Sequence, residues 1–284
     1  MPYGKAIELF LVNGTADSLI TAELSNWNGK AIKIPRIEVP SCNREDLTQV
    51  GVYFLFCKED DGSDSVYIGE AENVKDRLMQ HIRDYQTEKE KYYWNTAVVF
   101  IGRDLNKALI RYLENRFVEI ARSCNRYVVL TKSTYKNTVL KESQIAVMSE
   151  FVDNVKILIN ALGYKVLEPL IQEVNTTFSS NDGLLYLSTG NTSAIGKVTS
   201  EGFVLIKGAK INEKTSAKSL SPGMIKLREK IIASAKVNNF CTTEDILFSS
   251  SSAAADFVLG YSVSGPRTWK AANGTSLKEL ETNI

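Results

Sequence analysis

Residues 51–81, GVYFLFCKEDDGSDSVYIGEAENVKDRLMQH, contain several side chains that can handle a phosphate group or a proton. Tyr53 and Tyr67 occur in two short β-rich segments, and Arg77 and His81 follow four residues apart. An arginine binds phosphate oxygens through a planar set of donors, whereas phenols and imidazoles exchange protons. If folding brings these four side chains together, they predict a site for phosphate chemistry.

The same stretch predicts a β-hairpin that leads into a helix. Gly51–Cys57 and Ser65–Gly69 are apolar-rich runs separated by a charged turn, as in two paired strands. Asn73 is a typical helix N-cap, and apolar residues recur behind it at helical spacing, namely Leu78, Ile82 and Tyr85. Arg77 and His81 lie at the edge of this buried stripe, so both can face a site at the rim of the sheet.

Composition and charge limit the possible classes of protein. The chain has 284 residues, 44% of them hydrophobic and 24% charged, which is ordinary for a folded protein of two domains. The net charge of +1 creates no global field for nucleic acid, so any basic surface must be local. The four cysteines have no CxxC spacing and therefore indicate neither a zinc site nor a disulfide framework. We expect a cytoplasmic protein that is neither exported nor membrane-spanning, because the sequence contains no signal-peptide pattern and no long apolar run.

The order of the segments predicts an α+β fold. Residues 1–40 are expected to form an N-terminal β-hairpin extension that covers the sheet, and residues 41–170 a first domain with a small antiparallel sheet flanked by helices. Residues 171–183 are rich in Ser, Thr and Asn and are predicted to be a linker. Residues 184–284 then form a small α+β C-terminal domain.

A further candidate residue, Glu114, lies in the helix predicted for Asp104–Ser123. It shares its face with Ile110 and Phe117, so its carboxylate is withdrawn from water and needs a partner. Both a metal ion and a buried salt bridge satisfy that need. Glu119, by contrast, falls on the wet side of the helix.

The two tyrosine motifs together resemble those of the GIY-YIG nuclease family. Gly51-Val52-Tyr53 stands where GIY is expected, and Tyr67-Ile68-Gly69 matches YIG. The resemblance implies a GIY-YIG-type sheet and a divalent-metal-dependent DNA endonuclease that hydrolyses phosphodiester bonds.

The resemblance also implies a role for each candidate residue. Glu114 would bind one Mg²⁺ or Mn²⁺ ion, and Arg77 would clamp the scissile phosphate. Tyr53 would orient or deprotonate the attacking water, with Tyr67 and His81 helping to position or transfer the proton. For His81, the sole histidine, a packed helix residue is an equally good interpretation.

Two positions depart from the family pattern and leave a second function open. Leu109 stands where the most similar members have a histidine, and Thr131 or Lys132 where many have an asparagine. These departures permit a catalytically weak or inactive nucleic-acid-binding or regulatory module on the same scaffold.

The closing segment resembles DUF4357, a small domain of unknown function that is often appended to such nucleases. Basic and aromatic residues beyond the five site residues are candidate DNA contacts: Lys75, Trp94, Lys226, Arg228, Lys230, Arg267, Trp269 and Lys270. Other interpretations remain open. Trp94 is equally well explained as an aromatic plug on the sheet, and the C-terminal domain as one that binds protein or stabilises the first. The sequence gives no indication of the oligomeric state.

Overall fold

The computed structural model describes residues 3–59, 62–134, 139–171 and 183–282. The chain divides into two units, Met1–Pro169 and Leu170–Ile284, which are described separately below. Both units combine helices with strands, so the predicted α+β class is confirmed. Part of the turn after β4, at residues 60 and 61, and most of the predicted linker, residues 172–182, lie outside the described residues.

The first unit is built on one seven-stranded sheet. Its strands are β1 (Ile7–Leu11), β2 (Ile20–Leu24), β3 (Gly29–Pro35), β4 (Gly51–Lys58), β5 (Asp64–Ala71), β6 (Trp94–Gly102) and β7 (Val128–Val129). They lie in the order β1-β2-β3-β6-β4-β5-β7, and every pair is antiparallel except β5 with β7. The helices are α1 (Val74–Gln86), α2 (Lys107–Cys124) and α3 (Glu142–Ala161), with short 3₁₀ turns at Arg36–Glu38 and Glu45–Thr48.

Helices cover both faces of this sheet. On β4, Phe54 and Phe56 pack against residues of α2 and α3, whereas Tyr53 and Leu55 belong to the core that contains Leu78 of α1. A strand buried on both faces has a continuous apolar sequence, which explains the run Val52–Cys57. Because side chains alternate along a strand, this arrangement directs Tyr53 towards α1.

The helices that carry candidate residues begin at side-chain caps. Asn73 Oδ1 accepts a hydrogen bond from the Asp76 amide at 3.1 Å, so the predicted cap of α1 is confirmed. The helix predicted from Asp104 begins later, because Asn106 caps α2 through the amides of Ala108 and Leu109. In α3, Ile145 is exposed despite its apolar side chain, because the buried stripe of that helix starts only at Met148.

Residues 1–40 differ from the predicted separate hairpin. The hairpin β1–β2 is present, but β3 joins it to the rest of the sheet by pairing with both β2 and β6. Two lysines among the apolar residues, Lys30 and Lys33, obscured this strand in the sequence. Lys30 forms a salt bridge with Glu23 of β2 at 3.0 Å, while Ala31 and Ile32 are fully buried. Trp27, just before the strand, packs edge-on against Phe151 of α3.

The second unit has a four-stranded antiparallel sheet and a separate two-stranded ladder. The sheet has the order β13-β10-β9-β8 and contains β8 (Leu184–Thr189), β9 (Thr192–Thr199), β10 (Gly202–Leu205) and β13 (Ile246–Phe248). The ladder pairs β11 (Val237–Asn238) with β12 (Cys241–Thr242). The helices are α4 (Pro222–Ala233), α5 (Ser251–Leu259), α6 (Gly265–Thr268) and α7 (Leu277–Thr282). The Ser250 side chain caps the start of α5, and Gly260 ends the helix in the left-handed conformation.

Within the described ranges, none of the helices combines the length and the apolar character needed to cross a membrane. The four cysteines, Cys42, Cys57, Cys124 and Cys241, are free thiols.

Candidate active site

Four of the five predicted site residues line one open cavity of about 830 Å³ in the first unit. Tyr53 of β4, Tyr67 of β5, Arg77 of α1 and Glu114 of α2 all contribute to its wall. The cavity lies beside the second half of β5, where β7 no longer pairs with that strand. The pairing of β7 involves only Ser65 and Val66 of β5. At this edge of the sheet, side chains from α1 and α2 therefore reach the same cavity.

The fifth residue, His81, lies behind Tyr53 and is fully buried. Its Nε2 is 2.9 Å from the Tyr53 hydroxyl, and its Nδ1 is 2.6 Å from Oε1 of Glu90. Arg77 Nε donates to the same Tyr53 hydroxyl at 3.3 Å. His81 is therefore a packed residue of α1 that is also hydrogen-bonded to Tyr53 of the cavity wall, and its role in proton transfer stays a prediction.

The glycine of the Tyr67-Ile68-Gly69 motif has a steric role. A Cβ atom at Gly69 would collide with the Tyr53 hydroxyl and lie 2.9 Å from Cε1 of Tyr67. Gly69 is also the residue that pairs with Tyr53 across the two strands. Glycine at this position leaves the space that the Tyr53 hydroxyl needs in order to reach the cavity.

Burial controls the protonation of Tyr53. Removal from water, followed by the neighbouring Tyr67, raises the pKa of Tyr53 well above its ordinary value, although Arg77 acts in the opposite direction. Arg77 alone would lower this pKa, but burial outweighs its contribution. The phenol is protonated at neutral pH, and it needs a hydrogen-bonded base to give up its proton.

The environment of Glu114 fits a residue that binds a metal ion as its one protein ligand. The side chain is buried, lines the cavity, and forms no hydrogen bond or ion pair within the described ranges. Those ranges contain no group of three His, Cys, Asp or Glu residues placed to hold a metal ion. A magnesium ion keeps several waters and is held by one or two carboxylates, so Glu114 alone matches its chemistry.

The environment of Glu114 predicts a pH effect on stability. Burial, and then the nearby Glu70 carboxylate, raise the pKa of Glu114 to about 7. A group whose folded-state pKa is raised stabilises the fold below its unfolded pKa, and this stabilisation is lost as the pH rises through the folded value. Without metal, the free energy of unfolding should therefore fall between pH 4.5 and pH 7 by on the order of 3 kcal/mol in wild type relative to Glu114→Gln.

Urea unfolding of both proteins across this pH range, in chelator, measures the difference. Added Mg²⁺ at neutral pH should then stabilise the wild type and leave Glu114→Gln unchanged. A difference between the two proteins that stays constant with pH would contradict the buried, unpaired state of Glu114.

The cavity also contains charged residues that the sequence did not single out. Glu70 accepts from Lys107 Nζ at 2.9 Å and lies 3.8 Å from Arg111 Nε. The sequence contained a pattern that could have identified Lys107 and Arg111. These two residues and Glu114 are spaced four and three apart, which places them along one face of α2. Gln80 of α1 accepts a hydrogen bond from Arg77 at 2.6 Å and completes this wall. Lys75, in the first turn of α1, is half-buried, and its contact with DNA stays a prediction.

Comparison with known protein families gave one match, over part of the second unit. Residues 185–281 match DUF4357, a domain of unknown function. This confirms the predicted C-terminal domain, while the family comparison gave no match to a GIY-YIG nuclease. The searches of curated proteins and of solved structures found no match.

Two candidate DNA contacts in the DUF4357 domain are wrong, because their side chains are buried. Trp269 is fully buried, packs on Phe203 and donates its indole N–H to the Ser251 carbonyl at 2.9 Å. Arg228 is 1% exposed and donates to the carbonyls of Phe257 and Asn212. Both hold the DUF4357 domain together and cannot reach a nucleic acid. The other four candidates, all exposed, are Lys226, Lys230, Arg267 and Lys270.

Trp94, in the first unit, is a third correction. It is fully buried at the start of β6, where its ring lies 4.8 Å from the Arg36 guanidinium. The alternative interpretation as an aromatic plug on the sheet is therefore the correct one. Composition alone could not separate these two roles, because both need an aromatic residue near basic ones.

Proposed function

We propose that the first unit is a divalent-metal-dependent DNA endonuclease of the GIY-YIG type, which hydrolyses phosphodiester bonds. One observation carries this proposal: Tyr53, Arg77 and Glu114 line the same cavity, and His81 is hydrogen-bonded to Tyr53 from behind. A proton acceptor, a phosphate-binding cation and a free carboxylate are the groups that such a hydrolysis requires.

Arg77 is suited to hold the scissile phosphate. Its Nε donates to Tyr53 and its Nη1 to Gln80, which fixes the plane of the guanidinium at the cavity wall. A planar donor group held in this way presents its remaining N–H groups to phosphate oxygens in a fixed geometry.

Tyr53 is suited to orient and deprotonate the attacking water. Its hydroxyl oxygen accepts from Arg77 and its proton can pass to Nε2 of His81. Tyr67, whose ring stacks on Tyr53 with centroids 6.3 Å apart, limits the positions that Tyr53 can take. Glu114 would hold the Mg²⁺ or Mn²⁺ ion, and that ion would supply positive charge for the leaving oxygen.

Nicking of supercoiled plasmid by the full chain tests the proposal. We expect nicks in Mg²⁺ or Mn²⁺ and none in chelator. Metal-independent cutting, or no cutting under either condition, would contradict it.

A second function, a weak or inactive nucleic-acid-binding or regulatory module, is favoured by a specific observation. Lys107 forms a salt bridge with Glu70 at 2.9 Å, which makes that carboxylate less able to share a metal ion with Glu114. The two positions that depart from the family pattern are structural, since Leu109 is buried in the core and the Thr131 hydroxyl bonds the backbone of Ile68. Binding of plasmid without nicking would support this second function.

We further propose that the DUF4357 domain contributes DNA affinity rather than chemistry. Arg267 and Lys270 are exposed on either side of the buried Trp269, so their charges are available to phosphates. The variant Arg267→Gln/Lys270→Gln should bind DNA more weakly and with a smaller salt dependence. The slope of log affinity against log salt should become shallower by about 0.9 for each phosphate that the variant no longer neutralises.

Binding measured by fluorescence anisotropy over a series of salt concentrations gives this slope. A matched control, Arg116→Gln/Lys156→Gln, removes the same charge from α2, where Arg116 is exposed, and from α3, where Lys156 is half-buried. Equal slopes for both variants and wild type would contradict a DNA contact at Arg267 and Lys270. The cytoplasmic location suggested by the cysteines stays a prediction.

A further inference from the structure

Glu90 makes the shortest contact to His81, from the loop between α1 and β6. Its Oε1 lies 2.6 Å from Nδ1 of His81, and the two side chains are 17% and 1% exposed. The opposite ring nitrogen, Nε2, lies 2.9 Å from the Tyr53 hydroxyl. The three side chains thus form a line from the loop to the cavity wall.

The chemistry of the imidazole determines which way a proton can move along these three side chains. A neutral imidazole carries one N–H, and a carboxylate only accepts hydrogen bonds. A proton on Nδ1 satisfies Glu90 and leaves Nε2 as an acceptor for the Tyr53 hydroxyl. With the proton on Nε2 instead, the histidine would donate to Tyr53 and could not take its proton.

We propose that Glu90 is a positioning residue, whose carboxylate fixes His81 as the Nδ1–H tautomer so that Nε2 accepts the Tyr53 proton. The effect of Glu90 on catalysis rests on the proposed nuclease function, whereas its effect on the tautomer of His81 does not. In the step, the Tyr53 O–H bond breaks as an N–H bond forms at Nε2. The resulting imidazolium keeps its hydrogen bond to Glu90, and the phenolate takes a proton from the water that attacks phosphorus.

The surroundings of His81 favour its neutral form, whereas the groups around Glu90 act on its pKa in both directions. Burial, followed by Arg77 and Arg36, lowers the pKa of His81. Burial, the largest cause, and the Asp84 carboxylate raise the pKa of Glu90, and the net shift is upward, although the Tyr92 hydroxyl, Arg77 and Arg36 act to lower it. The titratable and charged groups around His81 come from four elements and one loop: Tyr53, Tyr67, Arg77, Glu90, Tyr92 and Arg36.

Arg36 is held firmly beside this network. Its guanidinium lies 5.2, 4.6 and 4.8 Å from the ring centroids of Tyr85, Tyr93 and Trp94. Stacking of this kind stabilises a buried cation. Arg36 thereby provides a fixed positive charge that favours the carboxylate form of Glu90.

Nitrogen NMR reads the tautomer directly, because His81 is the single histidine in the chain. In the full-length protein labelled with ¹⁵N-histidine, we expect a protonated Nδ1 and an unprotonated Nε2. Glu90→Leu, which removes the acceptor, should move the proton towards Nε2. Glu90→Gln should have the same effect in part, and it retains the side-chain shape if the leucine variant does not fold. The control Glu88→Gln, in the same loop and exposed, should leave the tautomer unchanged.

Cleavage then measures the consequence for catalysis. Glu90→Gln should lower the single-turnover rate by at least about tenfold, leave DNA affinity unchanged, and shift the pH dependence of the rate. Glu90→Asp, which keeps the carboxylate, should recover part of the rate. A wild-type Nε2–H tautomer, or a tautomer and rate that Glu90→Gln leaves unchanged, would overturn the proposal. If the wild type does not cleave DNA, the nuclease function fails, while the NMR spectrum still decides the role of Glu90 in fixing the tautomer.

Discussion

Glu114→Gln is expected to lower the rate of DNA cleavage by at least about a hundredfold and to leave DNA affinity within a few-fold of wild type. The substitution removes the negative charge that a divalent ion requires but keeps almost the same volume. Because Glu114 has no hydrogen-bonding partner within the described residues, its replacement breaks no internal contact there. Single-turnover cleavage of a labelled duplex gives the rate, and anisotropy gives the affinity.

Glu119→Gln is the matched control for this prediction. Glu119 lies on the same helix, is exposed, and pairs only with Arg116 at 3.3 Å within the described ranges. Its replacement should leave the rate unchanged. A Glu114→Gln variant as active as Glu119→Gln would remove Glu114 from the site.

Arg77→Lys is expected to lower the rate of DNA cleavage by about a hundredfold. The loss of one preorganised hydrogen-bond donor, where charge develops in the transition state, has an effect of this size. Lysine keeps the positive charge, but it cannot donate to Tyr53 and Gln80 while also presenting a planar face to the phosphate. Cleavage rates measured at saturating protein isolate the chemical step from binding.

The control for the arginine is Arg116→Lys, an equivalent change on an exposed face of α2. It should cleave at the wild-type rate. If Arg77→Lys also cleaves at nearly that rate, Arg77 has a structural role only.

Local sequence patterns were sufficient for the elements that carry the site. The two runs around Tyr53 and Tyr67 predicted the hairpin β4–β5, and Asn73 predicted the start of α1. The helical spacing of Ile110 and Phe117 placed Glu114 on a buried face, as observed. Each of these inferences depends on residues close together in the chain, where periodicity and capping are informative.

Interactions between distant segments could not be predicted in the same way. Glu90 belongs to a charged run whose sequence indicates only exposure, and its contact with His81 depends on how the loop after α1 folds back. Arg228 is buried because carbonyl groups of Asn212 and Phe257, far from it in sequence, satisfy its donors. Sequence composition identifies such an arginine as a candidate phosphate ligand, and only the tertiary structure shows that its donors are already occupied.

The lysines of β3 are a second case in which the sequence pattern did not predict the structure. A strand in the middle of a sheet is expected to be apolar, yet Lys30 and Lys33 are tolerated because their long side chains reach the surface and Lys30 pairs with Glu23. The basic residues of this segment are therefore compatible with a sheet strand that the sequence pattern did not indicate.

Plasmid nicking by wild type and Glu114→Gln, purified in parallel, tests the central claim most directly. We expect the wild type to convert supercoiled plasmid to nicked circles in Mg²⁺ or Mn²⁺, and both the chelator and the substitution to abolish the conversion. Parallel purification matters because a contaminating nuclease would act equally in both preparations. Equal nicking by the two proteins, or no nicking by the wild type in either metal, would contradict a nuclease centred on Tyr53, Arg77 and Glu114.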